Sequence, residues 1–424
     1  MLSCEILLTI MLKINIKSEI GRLNAVLLHK PGAEVENMTP RNVQRALYSD
    51  ILNLSIAQTE YEQLHGVLSK VSTVYQVMDL LIKVLDEPYH RMDLVKRICD
   101  NEGVNDYYFQ LMKMESAELA RVLIEGLPAR INTFSSFLKN EYYALYPLYN
   151  FYFTRDAAIT IDNAALVCKM ANKVRVRESL IMDAIYKKSG IFDCDVIDVN
   201  ESKDKELWME GGDLLIARDD ILLVGNGSRT SSKGVDYLVD LIKNRKKSGK
   251  QYLIVQQLPS EPESFIHLDM VYTFLDRDKA MVFEPLILQE NQYQTVKITI
   301  ENGDVSSIKS VQNIPAALKE LGMNMESIIC GGEDEWDQER EQWHSGANFF
   351  AFAPGKVISY ARNVHTLNAL RNSGFEVLSA ESVINREKNV NDYENCVVSI
   401  EGSELPRGGG GARCMTMPLN RDDL

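Results

Sequence analysis

The residues of this chain best suited to chemistry are one histidine, one cysteine and a set of carboxylates. His267 and Asp269 stand two positions apart in the segment 265–274, whose apolar residues alternate with others. This alternation predicts a β-strand, on which side chains two apart share a face. The imidazole and the carboxylate are therefore expected to project into a common space. An isolated His-x-Asp pair is more often a structural hydrogen bond, so a catalytic role needs support from other residues of the chain.

Cys414 is the second candidate, because it follows four glycines at 408–411. Glycines let the backbone approach a ligand closely, and their N–H groups together with Arg407 and Arg413 are expected to favour a thiolate. The alternative is a flexible glycine-rich tail with an incidental cysteine. The seven cysteines form no CxxC pattern, which indicates reduced thiols rather than a disulfide framework or a zinc site.

Four carboxylates, Asp156, Glu210, Asp213 and Asp269, lie at or near the starts of similar segments. Taken singly, each is more often a cap or turn residue. Several carboxylates in one cavity are costly unless a cation or protonation neutralises them. A guanidinium group suits this role, because its planar donors pair bidentately with carboxylates.

These similar segments are copies of a weak internal repeat with the order strand–strand–helix–strand. The predicted elements are 157–161, 165–170, helix 178–188 and 191–199; then 214–217, 221–224, helix 233–244 with a Ser or Thr cap, and 252–258; then 349–353, 357–360, helix 366–372 and 375–378. One unit cannot bury its own apolar face, so several units must pack together. If they repeat around an axis, their polar starts converge on one centre, as in a propeller.

The segment 77–130 breaks this pattern with helix-period stretches at 78–85, 91–99 and 117–124. It is predicted to be an inserted helical bundle domain. The flanking segments 13–76 and 131–424 are predicted to form the catalytic α/β domain, and 1–12 an extended or unstructured start rather than a signal peptide.

Composition excludes several classes of protein. The formal net charge of −14 disfavours nucleic-acid binding and suits a small cationic substrate. No apolar stretch reaches the roughly 18 residues of a membrane helix, so no membrane partner is expected. The histidines show no paired ligand spacing, so neither a metal nor a cofactor is predicted. A cytoplasmic protein is expected.

Taken together, the motifs resemble the arginine deiminase family of the guanidino-modifying pentein superfamily. The resemblance spans nearly the whole chain, and its ordered motifs are S-E-I-G-R-L at 18–23, V-L-L-H-K-P-G at 26–32, N-F-Y-F-T-R-D at 150–156, E-G-G-D at 210–213, S-R-T at 228–230, H-L-D at 267–269, R-E-Q-W at 340–343 and R-C-M-T-M-P-L at 413–419. It implies an α/β fold, a five-bladed ββαβ propeller with a helical insert. It also implies a cofactor-free hydrolase acting on C–N bonds of linear amidines, which converts L-arginine to L-citrulline and ammonia.

The resemblance also assigns roles to residues. Cys414 is implied as the nucleophile that forms a covalent amidino-thioether, His267 as the acid–base group, and Asp156 and Asp269 as the guanidinium clamp. Glu210 would pair with the guanidinium and with His267. The residues implied to bind the substrate are Asn150, Arg175, Arg229 and Asp213.

Three departures from the family pattern are visible. Gly409 stands where members often carry arginine, Ala361 replaces an aspartate, and the segment 48–52 lacks an early family motif. The alternatives that remain are an arginine dihydrolase that yields ornithine, an amidinotransferase, and a catalytically idle arginine-binding protein. A homo-oligomer, dimer or tetramer, is expected by default.

Overall fold

The structure is a computed structural model that describes residues 11–38, 50–139, 142–245 and 249–424. Most of the predicted start at 1–12 lies outside the described residues, although Leu12 opens the strand Leu12–Lys13. Of the departure at 48–52, the part at 48–49 also lies outside them.

Short β-strands occur along the whole described chain. In order they are β1 (Leu12–Lys13), β2 (Leu23–Leu28), β3 (Thr73–Gln76), β4 (Leu127–Pro128), β5 (Tyr143–Leu145), β6 (Ala158–Ile161), β7 (Ala164–Val167), β8 (Phe192–Asp193), β9 (Asp195–Asp198), β10 (Leu214–Arg218), β11 (Ile221–Asn226), β12 (Gln251–Gln257), β13 (Tyr272–Phe274), β14 (Lys279–Val282), β15 (Thr295–Glu301), β16 (Asp304–Val311), β17 (Glu326–Ile329), β18 (Phe350–Ala353), β19 (Lys356–Tyr360), β20 (Glu376–Ser379), β21 (Cys396–Ile400) and β22 (Met417–Arg421).

Helices alternate with these strands. In order they are α1 (Ala33–Glu36), α2 (Leu54–Val71), α3 (Val77–Asp86), α4 (Pro88–Glu102), α5 (Tyr108–Met112), α6 (Ser116–Glu125), α7 (Phe134–Lys139), α8 (Thr154–Ala157), α9 (Val176–Lys188), α10 (Ser232–Asn244), α11 (Glu284–Ile287), α12 (Ile314–Glu320), α13 (Glu335–Trp343), α14 (Val364–Asn372) and α15 (Ala380–Ile384). Within the described residues, no helix is both long and apolar enough to span a bilayer.

The larger sheets of the described chain share one pattern of connections. In the sheet β6–β7–β9, β6 is antiparallel to β7 and β9 is parallel to it, with α9 between β7 and β9. A helix is the usual connection between parallel neighbours. The same antiparallel-then-parallel order recurs in β10–β11–β12, β13–β14–β17, β18–β19–β21 and β22–β2–β3. Each sheet therefore contains a ββαβ unit.

Two of these sheets include strands from distant parts of the chain. Strand β22 pairs with β2, so the two ends of the described chain share a sheet. The hairpin β15–β16, which lies between β14 and β17 in the chain, instead extends the sheet of β12. The first of these pairings fixes the segment just before β22 in the interior of the fold.

The repeat predicted from the sequence is confirmed for its local elements. All three predicted helices form as α9, α10 and α14, and Ser231 caps α10 by accepting a hydrogen bond from the backbone N–H of Gly234 (3.0 Å). The predicted strand 191–199 is present as two shorter strands, β8 and β9.

The strand predicted for 265–274 is wrong over most of its length. Single 3-10 turns occupy Glu263–Phe265 and Leu268–Met270, and only Tyr272–Phe274 is extended. The backbone N–H of Leu268 donates to the carboxylate of Asp213 (2.9 Å). A side chain thus accepts the hydrogen bond that a neighbouring strand would accept in a β-sheet. The segment 267–271 is buried throughout, so its alternation of residue types does not correspond to an alternation of buried and exposed faces.

The predicted helices at 78–85, 91–99 and 117–124 are confirmed as α3, α4 and α6. Their apolar faces share one core with β6, β7 and α9, and Leu81, Leu94 and Leu123 are fully buried in it. Each such side chain contributes about 1.5–3 kcal/mol relative to exposure. The division into a helical domain and a catalytic domain stays a prediction.

Candidate active site

Loops that precede the first strands of the ββαβ sheets meet in the interior. Asp156 lies before β6, Glu210 before β10, His267 before β13, Asn348 before β18 and Cys414 before β22. The Nε2 atom of His267 is 3.0 Å from Oε2 of Glu210, and its Nδ1 atom is 3.8 Å from Oδ1 of Asp156. Asn348 Nδ2 lies 3.2 Å from Cys414 Sγ. The polar starts of the repeats therefore gather, as the sequence predicts.

Six of the nine predicted site residues line a small inner chamber. They are Asn150, Asp156, Arg175, Arg229, His267 and Cys414. The chamber has a volume of about 10 Å³, room for roughly one water molecule. The remaining three, Glu210, Asp213 and Asp269, lie behind this lining. The structure thus describes a closed form of the site.

Cys414 is buried beneath this chamber. Asn348 donates from Nδ2 to its Sγ atom (3.2 Å), and the carboxylate oxygens of Asp269 lie 3.6 and 3.8 Å from Sγ. Burial, and then the negative charges of Asp269 and Asp156, raise the pKa of the thiol well above its usual value. These surroundings therefore favour the thiol over the thiolate.

The expected activation of Cys414 by nearby arginines is therefore wrong for the empty site. Arg413 does favour the thiolate, but burial and the two carboxylates outweigh it. The guanidinium of Arg413 forms ion pairs with Glu19 and Asp269, so its positive charge does not act on the thiol alone. Arg407 lies at the surface, where it pairs with Asp50 and Glu404.

The glycine run packs against the site through its missing side chains. A Cβ atom on Gly408 would lie 1.9 Å from Tyr152 Oη, and one on Gly410 would lie 2.5 Å from Phe153 Cε1. Gly409 differs, because its φ is +84° and a Cβ there would meet nothing within 4 Å. Residues 408–411 therefore form a close-packed wall of the site, here called the glycine wall, with one open position at Gly409.

His267 carries a positive charge in this environment. Burial opposes that charge, but the carboxylate of Asp156, the hydrogen bond with Glu210 and the charge of Asp213 outweigh it and raise the pKa of His267 to about 9. Nε2 is bonded to Glu210, whereas Nδ1 has no hydrogen bond. The Oδ1 atom of Asp156 also lacks one. A charged donor and an acceptor, 3.8 Å from each other on two residues that line the chamber, thus have no hydrogen bond.

Glu210, which bonds to Nε2 of His267, is itself held by further contacts. Its Oε1 atom is 3.5 Å from Arg229 and accepts a hydrogen bond from the N–H of Ala171 (3.2 Å). Burial opposes its charge, but Arg229, then His267 and Arg175, lower the pKa of Glu210 to about 2. It stays ionised at all ordinary pH values.

Arg175 is surrounded by carboxylates. Its Nη1 atom donates to Asp156 (2.8 Å) and lies 3.6 Å from Glu210, and its Nη2 atom donates to Glu178 (2.7 Å). Burial opposes its charge, yet Glu178 and Asp156 raise the pKa of Arg175 further above its already high value. Its backbone neighbour in the site is Asn150, whose carbonyl accepts from Nη2 (3.4 Å). To bind another anion, Arg175 has to exchange one of these partners.

Arg229 lies where the inner chamber meets a larger outer cavity of about 310 Å³. Its Nη1 atom has no hydrogen bond, and its side chain is 13% exposed. It is therefore placed to meet a group that enters from outside.

Asp213 supports the loop that bears His267. Its Oδ2 atom accepts from the hydroxyl of Thr230 (2.6 Å), and its Oδ1 atom accepts from the N–H of Leu268 (2.9 Å). Burial raises the pKa of Asp213 to about 7, although His267 opposes that shift. These contacts suit a positioning residue rather than a substrate ligand.

Asp269 belongs to a second cluster centred on Arg413. Nη1 of Arg413 donates to Asp269 (2.8 Å), Nη2 and Nε donate to Glu19 (3.0 and 3.1 Å), and Nη2 also donates to the carbonyl of Leu214 (2.7 Å). Burial opposes the charge of Glu19, but Arg413 and Arg155 lower the pKa of Glu19 to about 2. This cluster holds Asp269 next to Cys414, outside the lining of the chamber.

Sequence reasoning missed three residues of these clusters: Asn348, Glu178 and Glu19. Asn348 opens the third repeat, so equivalence with Asp156 and Asp269 could have found it. Besides its bond to Sγ, its Oδ1 atom accepts from the N–H groups of Arg413 and Cys414 (2.9 and 3.3 Å). Glu178 follows Arg175 at i+3 spacing, a helical neighbour. Glu19 lies in the family motif at 18–23, but nothing in the sequence pairs it with Arg413, 394 positions away.

One group of potential metal ligands occurs among the described residues: Asp156, Glu210 and His267, with ligand atoms within 4.8 Å of one another. The two carboxylates are already paired with Arg175, and His267 carries a proton that a metal would have to displace. The geometry therefore favours neutralisation by guanidinium groups over a resident metal ion.

Comparison with known proteins identifies the family. A family model described as arginine deiminase matches residues 44–421. The arginine deiminase of Listeria monocytogenes serovar 1/2a is 33% identical over 433 residues, which cover 97% of this chain and 98% of the relative. The chain belongs to the arginine deiminase family. An arginine deiminase of Bacillus cereus is also 33% identical, over 432 residues that cover 97% of this chain and 99% of the relative.

Solved structures similar to this one share its α/β pentein fold. The N-terminal domain of ArgZ bound to substrate, an arginine dihydrolase from the Ornithine-Ammonia Cycle in Cyanobacteria, has a TM-score of 0.52 at 13% identity, with 94% of this chain and 99% of that chain covered. SxtG, an amidinotransferase from Microseira wollei in the saxitoxin biosynthetic pathway, has a TM-score of 0.54 at 12% identity, with 97% and 98% covered. At these identities the likeness concerns the fold alone.

Proposed function

We propose that this protein is an arginine deiminase that hydrolyses L-arginine to L-citrulline and ammonia through a covalent bond to Cys414. The observation that carries the proposal is a pair of oppositely charged groups, Asp156 Oδ1 and His267 Nδ1, which lie 3.8 Å apart without a hydrogen bond, on residues that line the chamber together with Cys414. Buried polar atoms are normally hydrogen-bonded, so an acceptor without a hydrogen bond beside a carboxylate-rich chamber suits a cationic ligand.

The guanidinium of the substrate is held by Asp156 and Asp269. Asp269 already lies within 3.6 Å of Sγ, so a guanidinium bound to it places its central carbon next to the thiol. Fixing the two reacting atoms in this way supplies much of the acceleration, because it removes the entropic cost of bringing them together.

Substrate binding also activates the thiol. Asp269 and Asp156 raise the pKa of Cys414 in the empty site. A bound guanidinium neutralises these two charges and adds one of its own, so it lowers the pKa of the thiol at the moment when a thiolate is needed. Free enzyme is thereby kept unreactive.

The reaction then proceeds in two stages. The Cys414 thiol releases its proton to water and the thiolate adds to the guanidinium carbon. A terminal C–N bond then breaks, and the nitrogen leaves as ammonia with a proton from Nδ1 of His267. His267, charged up to about pH 9, has that proton available. In the second stage His267 takes a proton from water, the hydroxide adds to the same carbon, and the C–S bond breaks to release citrulline.

The opposite end of the substrate is held by Arg175, Arg229 and Asn150, which take its α-carboxylate. Arg229 has an Nη1 atom without a hydrogen bond, whereas Arg175 is paired with Asp156 in the closed form. Binding therefore exchanges partners: the substrate guanidinium takes Asp156, and Arg175 turns to the carboxylate. This exchange opens the chamber, which holds only about 10 Å³ in the closed form.

Glu210 and Asp213 act through His267. Glu210 fixes Nε2, which leaves Nδ1 as the atom that moves the proton. Asp213 holds the backbone of Leu268, next to His267 in the chain.

The five sheets are proposed to stand around this site as the blades of a propeller, with the helices of 77–130 as an inserted domain. The support is that each blade contributes one residue from the loop before its first strand. A cytoplasmic homo-oligomer, dimer or tetramer, that works without cofactor or metal is part of the same proposal.

Two related activities differ in the fate of the covalent bond. A dihydrolase continues to ornithine, and an amidinotransferase passes the amidino group to an amine. An arginine dihydrolase and an amidinotransferase are both among the solved proteins with this fold. A protein that binds arginine without turnover is the third alternative.

Mass spectrometry of the products from L-arginine, without added metal, tests the proposal. Citrulline and ammonia in equal amounts support it. Ornithine without citrulline would assign a dihydrolase, and transfer to added glycine an amidinotransferase. Thermal stabilisation by arginine with no product would indicate the idle binder. The His267→Gln variant is the matched control, because it retains Cys414 and both aspartates but lacks the proton carrier.

A further inference from the structure

The inner chamber opens outward into two further cavities. The first, here called the vestibule, has a volume of about 310 Å³ and shares Arg229, Ile266, Gly408 and Gly409 with the chamber. The second, here called the aromatic cavity, has a volume of about 460 Å³ and shares Ser264 and Trp343 with the vestibule. The three spaces are therefore adjacent, in a row that begins at Cys414 and is here called the path.

This path is far larger than free arginine requires beyond its guanidinium. The single open position in the glycine wall, Gly409, lies where the chamber meets the vestibule, and a Cβ there would meet nothing within 4 Å. Because neighbouring Gly408 and Gly410 press against Tyr152 and Phe153, Gly409 is the place where the wall leaves room.

The aromatic cavity has the lining of a small-molecule site. Phe265 and Phe283 pack with ring centroids 5.5 Å apart, and Leu286, Tyr293 and Trp343 complete the apolar wall. Trp343 is 43% exposed and lines both outer cavities. Sites of this kind take apolar or aromatic groups.

Arg229 sets the direction of a ligand along this path. A guanidinium at Cys414 and an α-carboxylate at Arg229 place the α-carbon at the mouth of the chamber. The α-nitrogen is then the attachment point for a group that enters the vestibule.

We infer that the site accepts L-arginine whose α-nitrogen carries an apolar acyl group, with the acyl group in the vestibule and the aromatic cavity. This inference rests on the proposed deiminase activity. It adds a subsite for the acyl group and names a substrate class, Nα-acyl-arginines, whose product is the corresponding Nα-acyl-citrulline.

The test compares Nα-benzoyl-L-arginine with L-arginine on the full-length protein, with the product detected by mass spectrometry. We expect Nα-benzoyl-citrulline, with kcat/KM within about tenfold of that for L-arginine. The amide of Nα-benzoyl-L-arginine lacks the carboxylate for Arg229 and is expected to react at least tenfold more slowly than the acid.

A matched pair of tryptophans on α13 tests the path itself. Trp343→Ala is expected to lower the ratio of kcat/KM for the benzoyl substrate to that for L-arginine by at least tenfold. Trp336→Ala is the control, because Trp336 is on the same helix, is 78% exposed and lines neither cavity. It is expected to leave the ratio within twofold.

The outcomes separate this inference from the proposed function. If L-arginine is deiminated but the benzoyl compound is not, the inference is overturned and the deiminase proposal stands, even where the compound inhibits. An amide as reactive as the acid, or equal effects of the two tryptophan variants, also overturns the inference. If neither compound reacts, both proposals fail together.

Discussion

Two arginine-centred clusters lie in the core. Both combine a buried arginine with carboxylates, but they differ in what they do. In one, Arg175 pairs with Asp156, Glu178 and Glu210. In the other, Arg413 pairs with Glu19 and Asp269. Both arginines are almost fully buried. Such ion pairs are costly to desolvate, so their presence twice in one core requires an explanation.

The clusters differ in what they leave unpaired. Arg413 joins segments near residues 19, 214 and 269 to the start of β22, and no buried atom of Arg413, Glu19 or Asp269 lacks a hydrogen bond. Around Arg175, Asp156 Oδ1 and the nearby His267 Nδ1 have no hydrogen bond, and both residues line the chamber. The Arg413 cluster mainly holds the fold together, and it borders the site through Asp269 Oδ1, which lies 3.8 Å from Cys414 Sγ. The Arg175 cluster has capacity for a ligand.

Cys414 lies between the two clusters, and its removal is expected to have the largest effect. Cys414→Ala should lower turnover by about 10⁴-fold or more, since loss of a nucleophile removes the covalent route. L-arginine should still raise the melting temperature, because the carboxylates remain. Rates of citrulline formation and thermal shifts measure both effects.

Cys194→Ala is the control for this variant, because Cys194 is a partly buried thiol that does not line the chamber. It should keep normal turnover. Turnover within tenfold of wild type in Cys414→Ala would refute the covalent mechanism.

Arg413→Met tests the claim that the second cluster holds the fold together. It leaves Glu19 and Asp269 buried without the countercharge that hydrogen-bonds to both, so the free energy of unfolding should fall by about 3–5 kcal/mol. Urea titration measures this change. Arg407→Met, on the other side of the glycine run, removes a surface ion pair and should cost less than about 1 kcal/mol. Equal stabilities for the two variants would contradict the assignment.

Two isosteric variants separate the clusters further. Asp156→Asn and Asp269→Asn should each lower kcat/KM by about 10²-fold or more, because an amide neither neutralises nor orients the guanidinium as a carboxylate does. Only Asp269→Asn should also lower the urea midpoint clearly, since it takes a partner from Arg413. An unchanged rate in Asp269→Asn would remove that residue from the clamp.

The pH dependence is the smallest and most gradual effect. The pKa of His267 rises from about 6.5 in the unfolded chain to about 9 in the fold. Its raised value contributes stability that is complete below pH 6.5 and is lost as the pH rises through 9. Activity should fall over the same upper range, as the proton donor disappears. His267→Gln should show no loss of stability in that window; an identical profile in both proteins would exclude His267 as its source.

Much of the local fold follows from the sequence, because short-range patterns determine it. Alternation, turn residues and the Ser231 cap predict the strands and helices of three repeats. The prediction for the segment around His267 fails because residues 267–271 are all buried, so their alternation of residue types does not mark two faces of a strand. A period of two cannot distinguish the two conformations over so few residues.

The site residues that face the chamber could be inferred from the repeat and from the family resemblance, but their electrostatics could not. The sequence predicts an activated Cys414 because Arg407 and Arg413 are its neighbours in the chain. In the folded chain, Arg413 instead pairs with Glu19, which is 394 positions away. Burial and Asp269 then decide the pKa of the thiol. These effects depend on long-range pairing, which local spacing does not reveal.

The most direct test of the account is intact-protein and peptide mass spectrometry of an acid-quenched reaction with L-arginine. The account predicts an adduct of arginine minus ammonia, confined to the peptide that contains Cys414 and absent from Cys414→Ala. A bare amidino adduct would mean that the alkyl nitrogen left first, as in an amidinotransferase. Steady citrulline production in a quench that resolves single turnovers, with no adduct at any time, would contradict the covalent mechanism.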